Sequence, residues 1–217
     1  MIGLPQSTEY NKRIPKQKFY ENLTVSASLK QAFVEQIKTI YWRNKIAPST
    51  VNVAEGNDVE EIEVFEIKLN AESIDEGILK QMDKEIPYHI LFLLEFDGKY
   101  QAWIGFKEKA QSGNSVYKVN NYYHTDWLEA ENLPVKMEGL SIDVVYENFV
   151  RQIAGEFLSK EKGECLKDSI DRSEKIEKIN KQIKNLQTRI RKEKQLNVQI
   201  RLRDQLRKLR KELNDIC

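Results

Sequence analysis

Glu66-Ile67-Lys68 is the spacing in this chain best suited to chemistry. On a strand, side chains two apart point to the same face, so a carboxylate and an ammonium would stand side by side. Metal-dependent nucleases use that pairing: one carboxylate of the pair and an acid upstream hold a divalent ion, and the lysine positions or activates the attacking water. Asp58 is the candidate upstream acid, Glu35 a possible extra ligand, and Mg²⁺ the ion such a site would take. The competing reading is a cross-strand ion pair on a solvated sheet face. It carries more weight, because 32% of the residues are charged and acid-x-Lys matches then arise by chance. Asp97-Gly98-Lys99 is one such match, on an obvious turn. No residue is therefore assigned a catalytic role from the sequence.

Other chemistries find less support. His89 and His124 are thirty-five residues apart, with no neighbouring cysteine and no metal-ligand spacing; the first reads as a strand residue and the second as a surface or cap residue. The chain lacks a Walker loop, a Gly-x-Gly-x-x-Gly turn and a Gly-x-Ser-x-Gly elbow. Cys165 and Cys217 are too few for a disulfide framework or a four-ligand zinc site. No metal and no cofactor is expected outside the nuclease reading.

The second feature is charge. Residues 174–217 hold 14 Lys/Arg against 6 Asp/Glu, whereas residues 1–173 hold 21 against 28, so a net +1 conceals two oppositely charged parts. Arg189, Arg191, Lys192, Lys194, Arg201 and Arg203 are the densest basic group, and Lys12, Arg13, Lys16 and Lys18 form a smaller one. Such clusters grip phosphates in a salt-dependent way or dock on an acidic partner. With few aromatics interleaved, any contact with nucleic acid would be through its backbone and independent of sequence.

These residues need elements to position them. The first twenty-five residues, broken by Pro5 and Pro15, read as an extended segment. Ser28 and Gln31 make a capping box ahead of Leu29, Phe33, Ile37, Ile40 and Tyr41, predicting a helix that ends near Asn44. Thr50–Val53 and Val59–Leu69 read as a hairpin about a turn at Glu55, Gly56 and Asn57. Ser73 and Glu76 open a second helix that stops before Pro87. The apolar run Tyr88–Leu94 predicts a central strand covered on both faces, and Asp97-Gly98 a type I′ hairpin into Tyr100–Phe106. A further strand is expected over Val116–Tyr123. Ser141 precedes an amphipathic helix carrying Ile142, Val145, Tyr146, Phe149, Val150, Ile153 and Phe157. The order of helix, hairpin with the acid pair, helix and core strand suits the restriction-endonuclease-like fold loosely.

After a linker over Lys160–Asp171, Ile176, Ile179, Ile183, Leu186 and Ile190 step by three and four residues, as do Leu202, Leu206, Leu209, Leu213 and Ile216. The twelve residues from Ile190 to Leu202 break that phase, so one straight helix cannot keep both seams on one face. A turn near Asn197 is expected, giving an antiparallel coiled coil with arms of about 25 to 30 Å at 1.5 Å per residue. The fold class is thus α+β: a mixed sheet of four to five strands with flanking helices over residues 1–160, then a helical hairpin over 172–217. No apolar run approaches the roughly eighteen residues of a membrane span, and the start lacks an apolar secretion signal, so a cytoplasmic protein is expected. Seams of Ile and Leu also allow a homo-oligomer.

The segments LPQSTEYNKRIPKQKFYE, IYWRNKIAPSTVNV, EIEVFEIKLN, IPYHILFLLEFDGKYQAWIGFKE and EKQLNVQIRLRDQLRKLRKEL together resemble the bacterial domain-of-unknown-function family 4391 over nearly the full length. The resemblance implies genes beside those of helicases and DNA methyltransferases in restriction or phage-defence clusters. It implies no catalytic residues. The expectation is an accessory, non-catalytic subunit that docks on a helicase or methyltransferase and contacts DNA backbone, with the Asp58, Glu66 and Lys68 nuclease as the alternative.

Overall fold

The structure is a computed structural model that describes residues 3–21, 26–109, 117–158 and 164–216. The chain divides into two compact units, Met1–Gly155 and Glu156–Cys217.

The first unit is built on one mixed sheet whose strands follow chain order: β1 (Glu9–Ile14), β2 (Ile37–Ile46), β3 (Ile62–Leu69), β4 (His89–Phe96), β5 (Lys99–Lys109) and β6 (Tyr117–His124). The neighbours pair antiparallel except β3 and β4, which run parallel. A parallel pair needs a crossover, and α3 (Glu76–Glu85) supplies it. Among the described residues six strands replace the four to five expected: Thr50–Val53 is lost, while β1, in the segment expected to be merely extended, and β2, in the second half of the expected helix, are gained. The first long helix, α2 (Ala27–Gln36), stops at Gln36 and passes directly into β2. Ile37, Ile40 and Tyr41 therefore lie on a strand. The segment IKTIYWRNKI is dense in β-branched and aromatic residues, which fit a pleated surface better than a helix.

That helical reading also displaced the hairpin. Thr50–Val53 forms no strand; Thr50 Oγ1 donates to the Lys45 carbonyl at 2.8 Å and receives the Ala47 N–H at 3.0 Å, closing a turn after β2. The partner of β3 is β2, in register Tyr41↔Glu66 and Thr39↔Lys68. The N-terminal segment holds β1 and, after Pro15, the short helix α1 (Gln17–Glu21). The helix caps shift as well. Ser26 Oγ receives the Leu29 N–H at 3.2 Å, and Asp75 Oδ1 receives the Gly77 N–H at 2.8 Å, so neither Ser28 nor Ser73 is the cap.

Three other expectations match the structure. β4 is buried along most of its length between β3 and β5. Asp97 and Gly98 both take positive φ, 49° and 81°, as a type I′ turn requires. α4 (Ile142–Ala154) opens at Ser141 and buries Ile142, Val145, Tyr146, Phe149, Val150 and Ile153. Phe157 lies beyond its end and is exposed.

Two layers cover the sheet. Phe33 of α2 and Ile78, Leu79 and Met82 of α3 pack with Ile40, Phe65, Ile67, Leu69, Ile90, Phe92 and Leu94. Strand alternation sends Leu91 and Leu93 to the opposite face, where α4 lies against β5 and β6.

One buried cation ties these layers together. Lys107 Nζ, on β5, donates to the carbonyls of Asp83, Ile86 and Tyr88 at 2.9, 3.3 and 2.5 Å, and stands 2.8 Å from Asp83 Oδ1. Tyr122 donates to Asp83 Oδ2. The Lys107 N–H donates to Tyr146 Oη of α4 at 2.9 Å, and that hydroxyl donates to the Gly105 carbonyl at 2.6 Å. The ammonium thus closes the C-terminal end of α3, where helix carbonyls lack intrahelical partners. Burial pulls Lys107 below and pushes Asp83 above its ordinary range, and the attraction between the two works against both shifts.

The second unit holds α5 (Leu166–Lys192) and α6 (Leu196–Ile216), joined by Glu193–Gln195 and packed on one another. Lys175 Nζ lies 3.9 Å from Glu212 Oε1, so the start of α5 adjoins the end of α6 and the helices run antiparallel. The turn falls before Asn197, which is helical. Glu193 Oε1 receives the N–H groups of Lys194 and Gln195 at 2.8 and 2.9 Å, so a carboxylate rather than glycine or proline turns the chain. α5 opens at Leu166, inside the stretch read as linker, with Cys165 Sγ receiving the Asp168 N–H at 3.4 Å. Among the described residues, no helix is long and apolar enough to cross a membrane.

Removing one partner of a buried ion pair leaves the other charge uncompensated. Lys107→Met is expected to lower unfolding free energy by about 3–5 kcal/mol in urea titrations, and adding Asp83→Leu to recover part of the loss.

Candidate functional site

Glu66 and Lys68 do stand on one face of β3, and the sheet brings Arg43 and Glu95 to them. Register places Lys68 opposite Glu95 on β4 and Glu66 beside Tyr41 on β2. Arg43 forks onto Glu66, Nε to Oε2 and Nη2 to Oε1, both at 2.9 Å. Its guanidinium lies 4.9 Å from the Tyr41 ring centroid and also donates to Asn11 Oδ1 at 3.2 Å. Lys68 Nζ is 3.3 Å from Glu95 Oε2 and 4.0 Å from Glu66 Oε1. Glu66 is 3% exposed, whereas the Arg43 and Lys68 side chains are each about one third exposed, so the acid is sealed beneath its two cations.

The electrostatics follow from that arrangement. The hydrogen bond to Glu66 raises Arg43 further above its already high value. Burial works against the charge on Lys68, but the hydrogen bond and charge of Glu95 outweigh it and leave the ammonium raised. Burial, then the charges of Glu66 and Glu95, raises the hydroxyl of Tyr100, a residue that stands opposite Glu95 in the β4–β5 register. Two cations against two anions make a compensated cluster.

Asp58 is not part of it. It lies in the exposed loop before β3, where its N–H donates to Asp143 Oδ1 at 3.1 Å. Its charge acts on His89, which pairs with Ile62, four residues and about 13 Å along β3 from Glu66. Glu35 is exposed on α2, receiving Gln31 Nε2 at 2.7 Å. As placed, these residues do not fit a divalent ion: both oxygens of Glu66 are held by Arg43, and among the described residues no three His, Cys, Asp or Glu side chains gather as a metal site. The acid that sequence reasoning missed is Glu95. Its signal was the polar ending of the otherwise apolar run into β4.

A second acid pair went unread. Glu63, 2% exposed on β3, pairs in register with Lys45, whose ammonium lies 2.5 Å from Glu61. Glu63 Oε2 has no hydrogen-bond partner among the described residues. Burial, then the hydrogen bond and charge of Glu61, push the Glu63 carboxyl up to about 8. The histidines hold no metal ligand geometry. His89 is buried edge-on to Tyr146 and Tyr117 and pushed down to about 3, first by burial and then by the charge of Lys107, while His124 stacks on Trp103 at 4.3 Å.

The basic clusters separate. Lys16 Nζ donates to the carbonyls of Val34 and Ile37 at 3.1 and 2.6 Å and so closes the end of α2. Lys12 and Arg13 are exposed on the edge strand β1. Arg189, Arg191 and Lys192 on α5, Lys194 in the turn, and Arg201 and Arg203 on α6 are all exposed.

The chain belongs to the family described as domain of unknown function (DUF4391), whose model matches residues 2–213. No curated protein and no solved structure matches it.

A carboxyl whose folded pKa is raised binds a proton that the unfolded chain has already lost. The Glu63 contribution therefore costs stability increasingly as pH rises from about 4.5 to about 8, and stays constant above. Glu63→Gln is expected to flatten the fall of Tm over that range and to raise Tm at pH 9; an unchanged slope in thermal melts would place the proton elsewhere.

Proposed function

We propose that the chain is an accessory interaction subunit of a bacterial DNA restriction or phage-defence system, docking on a helicase or DNA methyltransferase and touching DNA backbone through its basic helical pair. The observation that carries this reading is the turn end of that pair. Six cations, Arg189, Arg191, Lys192, Lys194, Arg201 and Arg203, stand exposed there without an ion-pair partner among the described residues. Charge of that density left unneutralised costs self-repulsion and is retained where an anionic surface supplies the missing partner. The seams Ile176–Ile190 and Leu202–Ile216 make the pair an antiparallel coiled coil, a rigid mount for that end. Lys12 and Arg13 on β1 offer a second, weaker basic contact. The cell compartment that fits this role is the cytoplasm.

The nuclease reading, with Asp58, Glu66, Lys68 and Mg²⁺, keeps one observation in its favour, the convergence of Lys68 on Glu66 and Glu95. The fork of Arg43 onto Glu66 weighs against it, as does the position of Asp58.

One assay separates the two. The protein is incubated with linear and supercoiled DNA, with and without Mg²⁺ or Mn²⁺, alongside Glu66→Ala, and read by gel for retardation and cleavage. Retardation without cutting is expected; metal-dependent cutting lost in Glu66→Ala would make the protein a nuclease. Neutralising Arg189, Arg191, Lys192 and Lys194 together is expected to reduce the slope of log affinity against log salt by up to about 4, since each phosphate contact contributes roughly one. Tm should barely move, because exposed charges contribute about 0–1 kcal/mol each. Absence of retardation at low salt, with strong binding to a helicase or methyltransferase encoded beside the gene, would assign the basic end to protein alone.

A further inference from the structure

The turn end of the helical pair carries more than charge. Leu196 is 66% exposed and Ile200, one helical turn on, is also exposed. Both lie off the seam, which runs through Val198, Leu202 and Leu206, so packing within the pair does not use them. Two outward apolar side chains among Arg189, Lys192, Arg201 and Arg203 make an apolar contact surface with a cationic rim. Phosphate backbone has no use for the apolar part.

The first unit presents the complement. Leu140 is 89% exposed and Val144, on the first turn of α4, is exposed beside it. This pair is held in place. Gly139 takes φ 145°, and a Cβ there would stand 2.9 Å from the Val145 nitrogen, so only glycine lets the chain pass so close over the start of α4. On either side of Ser141, the Leu140 carbonyl receives the Ala54 N–H at 2.9 Å and the Ile142 N–H donates to the Ala54 carbonyl at 3.1 Å. The Asp143 carboxylate takes the N–H groups of Asn57, Asp58 and Val59 at 2.6, 3.1 and 2.8 Å, fixing the adjoining loop. The rim is acidic. Glu55 follows Ala54, Glu138 precedes Gly139 and is exposed, and Glu147 sits one turn beyond Val144. Within eight residues of the patch along the chain, the cations are Lys136 and Arg151, against Glu138, Asp143 and Glu147.

We infer that the turn end of the helical pair in one copy of this chain docks on the Leu140–Val144 patch of a second copy, apolar pair on apolar pair and basic rim on acidic rim. The excess of acid over base in residues 1–173 and the reverse in 174–217 make this pairing attractive between copies at long range. The contact does not use the seams, so each helical pair stays intact. Exchanged reciprocally between two copies, it closes a twofold dimer. The proposed partner of the basic end would compete with it.

Sedimentation velocity on the full chain, without DNA or partner, tests this separately from the proposed function. The expected result is a dimer that grows with concentration from micromolar upward and weakens as salt is raised. Leu196→Ser with Ile200→Ser, and separately Leu140→Ser with Val144→Ser, should each weaken it at least about tenfold, with circular dichroism unchanged since all four side chains are exposed. Mixing the two double variants should recover part of the association as a heterodimer, because one of the two reciprocal contacts then joins an intact turn end to an intact patch. A wild-type chain that stays monomeric at all concentrations, or a dimer indifferent to both double substitutions, would overturn the inference.

Discussion

The buried ammonium of Lys107 is the constraint on which the first unit depends. Three carbonyls, one carboxylate and the N–H contact to Tyr146 bring β5, the end of α3, the entry to β4 and α4 to one point. Both side chains are 1% exposed, so each of these oxygens needs the cation as much as the cation needs them. The parallel step from β3 to β4 is the most demanding connection in the sheet, since the chain must leave, form a helix and return in register. Lys107 fixes the place of return. The pairing of Lys68 with Glu95, on the same two strands, inherits its geometry from that.

The sheet faces divide the labour. The face under α2 and α3 is mainly apolar from Ile40 to Leu94, with Asp83 and Lys107 paired at the end of α3. The other face meets α4 mainly at β5 and β6, and along β2, β3 and β4 it carries Arg43, Glu66, Lys68 and Glu95. A sealed acid under two cations, each about one third exposed, presents positive groups to solvent even though the cluster is neutral. In the helical pair, by contrast, the seam consumes Ile and Leu while nearly all the charge points outward.

Much of this order was legible in the sequence, where the physics is local. The Asp97-Gly98 turn, the apolar β4, the Ser141 cap and the stepped seams each follow from a residue type at a fixed spacing. The α2–β2 junction was not legible, because Ile37, Ile40 and Tyr41 continue the three-four spacing of Leu29 and Phe33 by coincidence, and only sheet pairing decides the matter. With IKTIYWRNKI taken as helix, β3 lacks its true partner, and Thr50–Val53 is the nearest segment with strand character. The Glu66 and Lys68 pair was visible through strand alternation. Arg43, Glu95, Lys107 and Asp83 were not, since each gains its meaning from a residue twenty or more positions away, which no local pattern encodes.

The passage from Gln36 to Ile37 has no connecting loop at all. Lys16 holds the Val34 and Ile37 carbonyls across it, and the Gln36 carbonyl receives the Asn70 N–H. Chain length is therefore quantised at this point: one added residue would rotate α2 by about 100° or turn every side chain of β2 to the opposite face. Natural variation in length has no room there. It can accumulate instead in the irregular stretch 47–61, where the backbone makes few sheet bonds, so homologous chains of different size should align without gaps across this junction and differ beyond it.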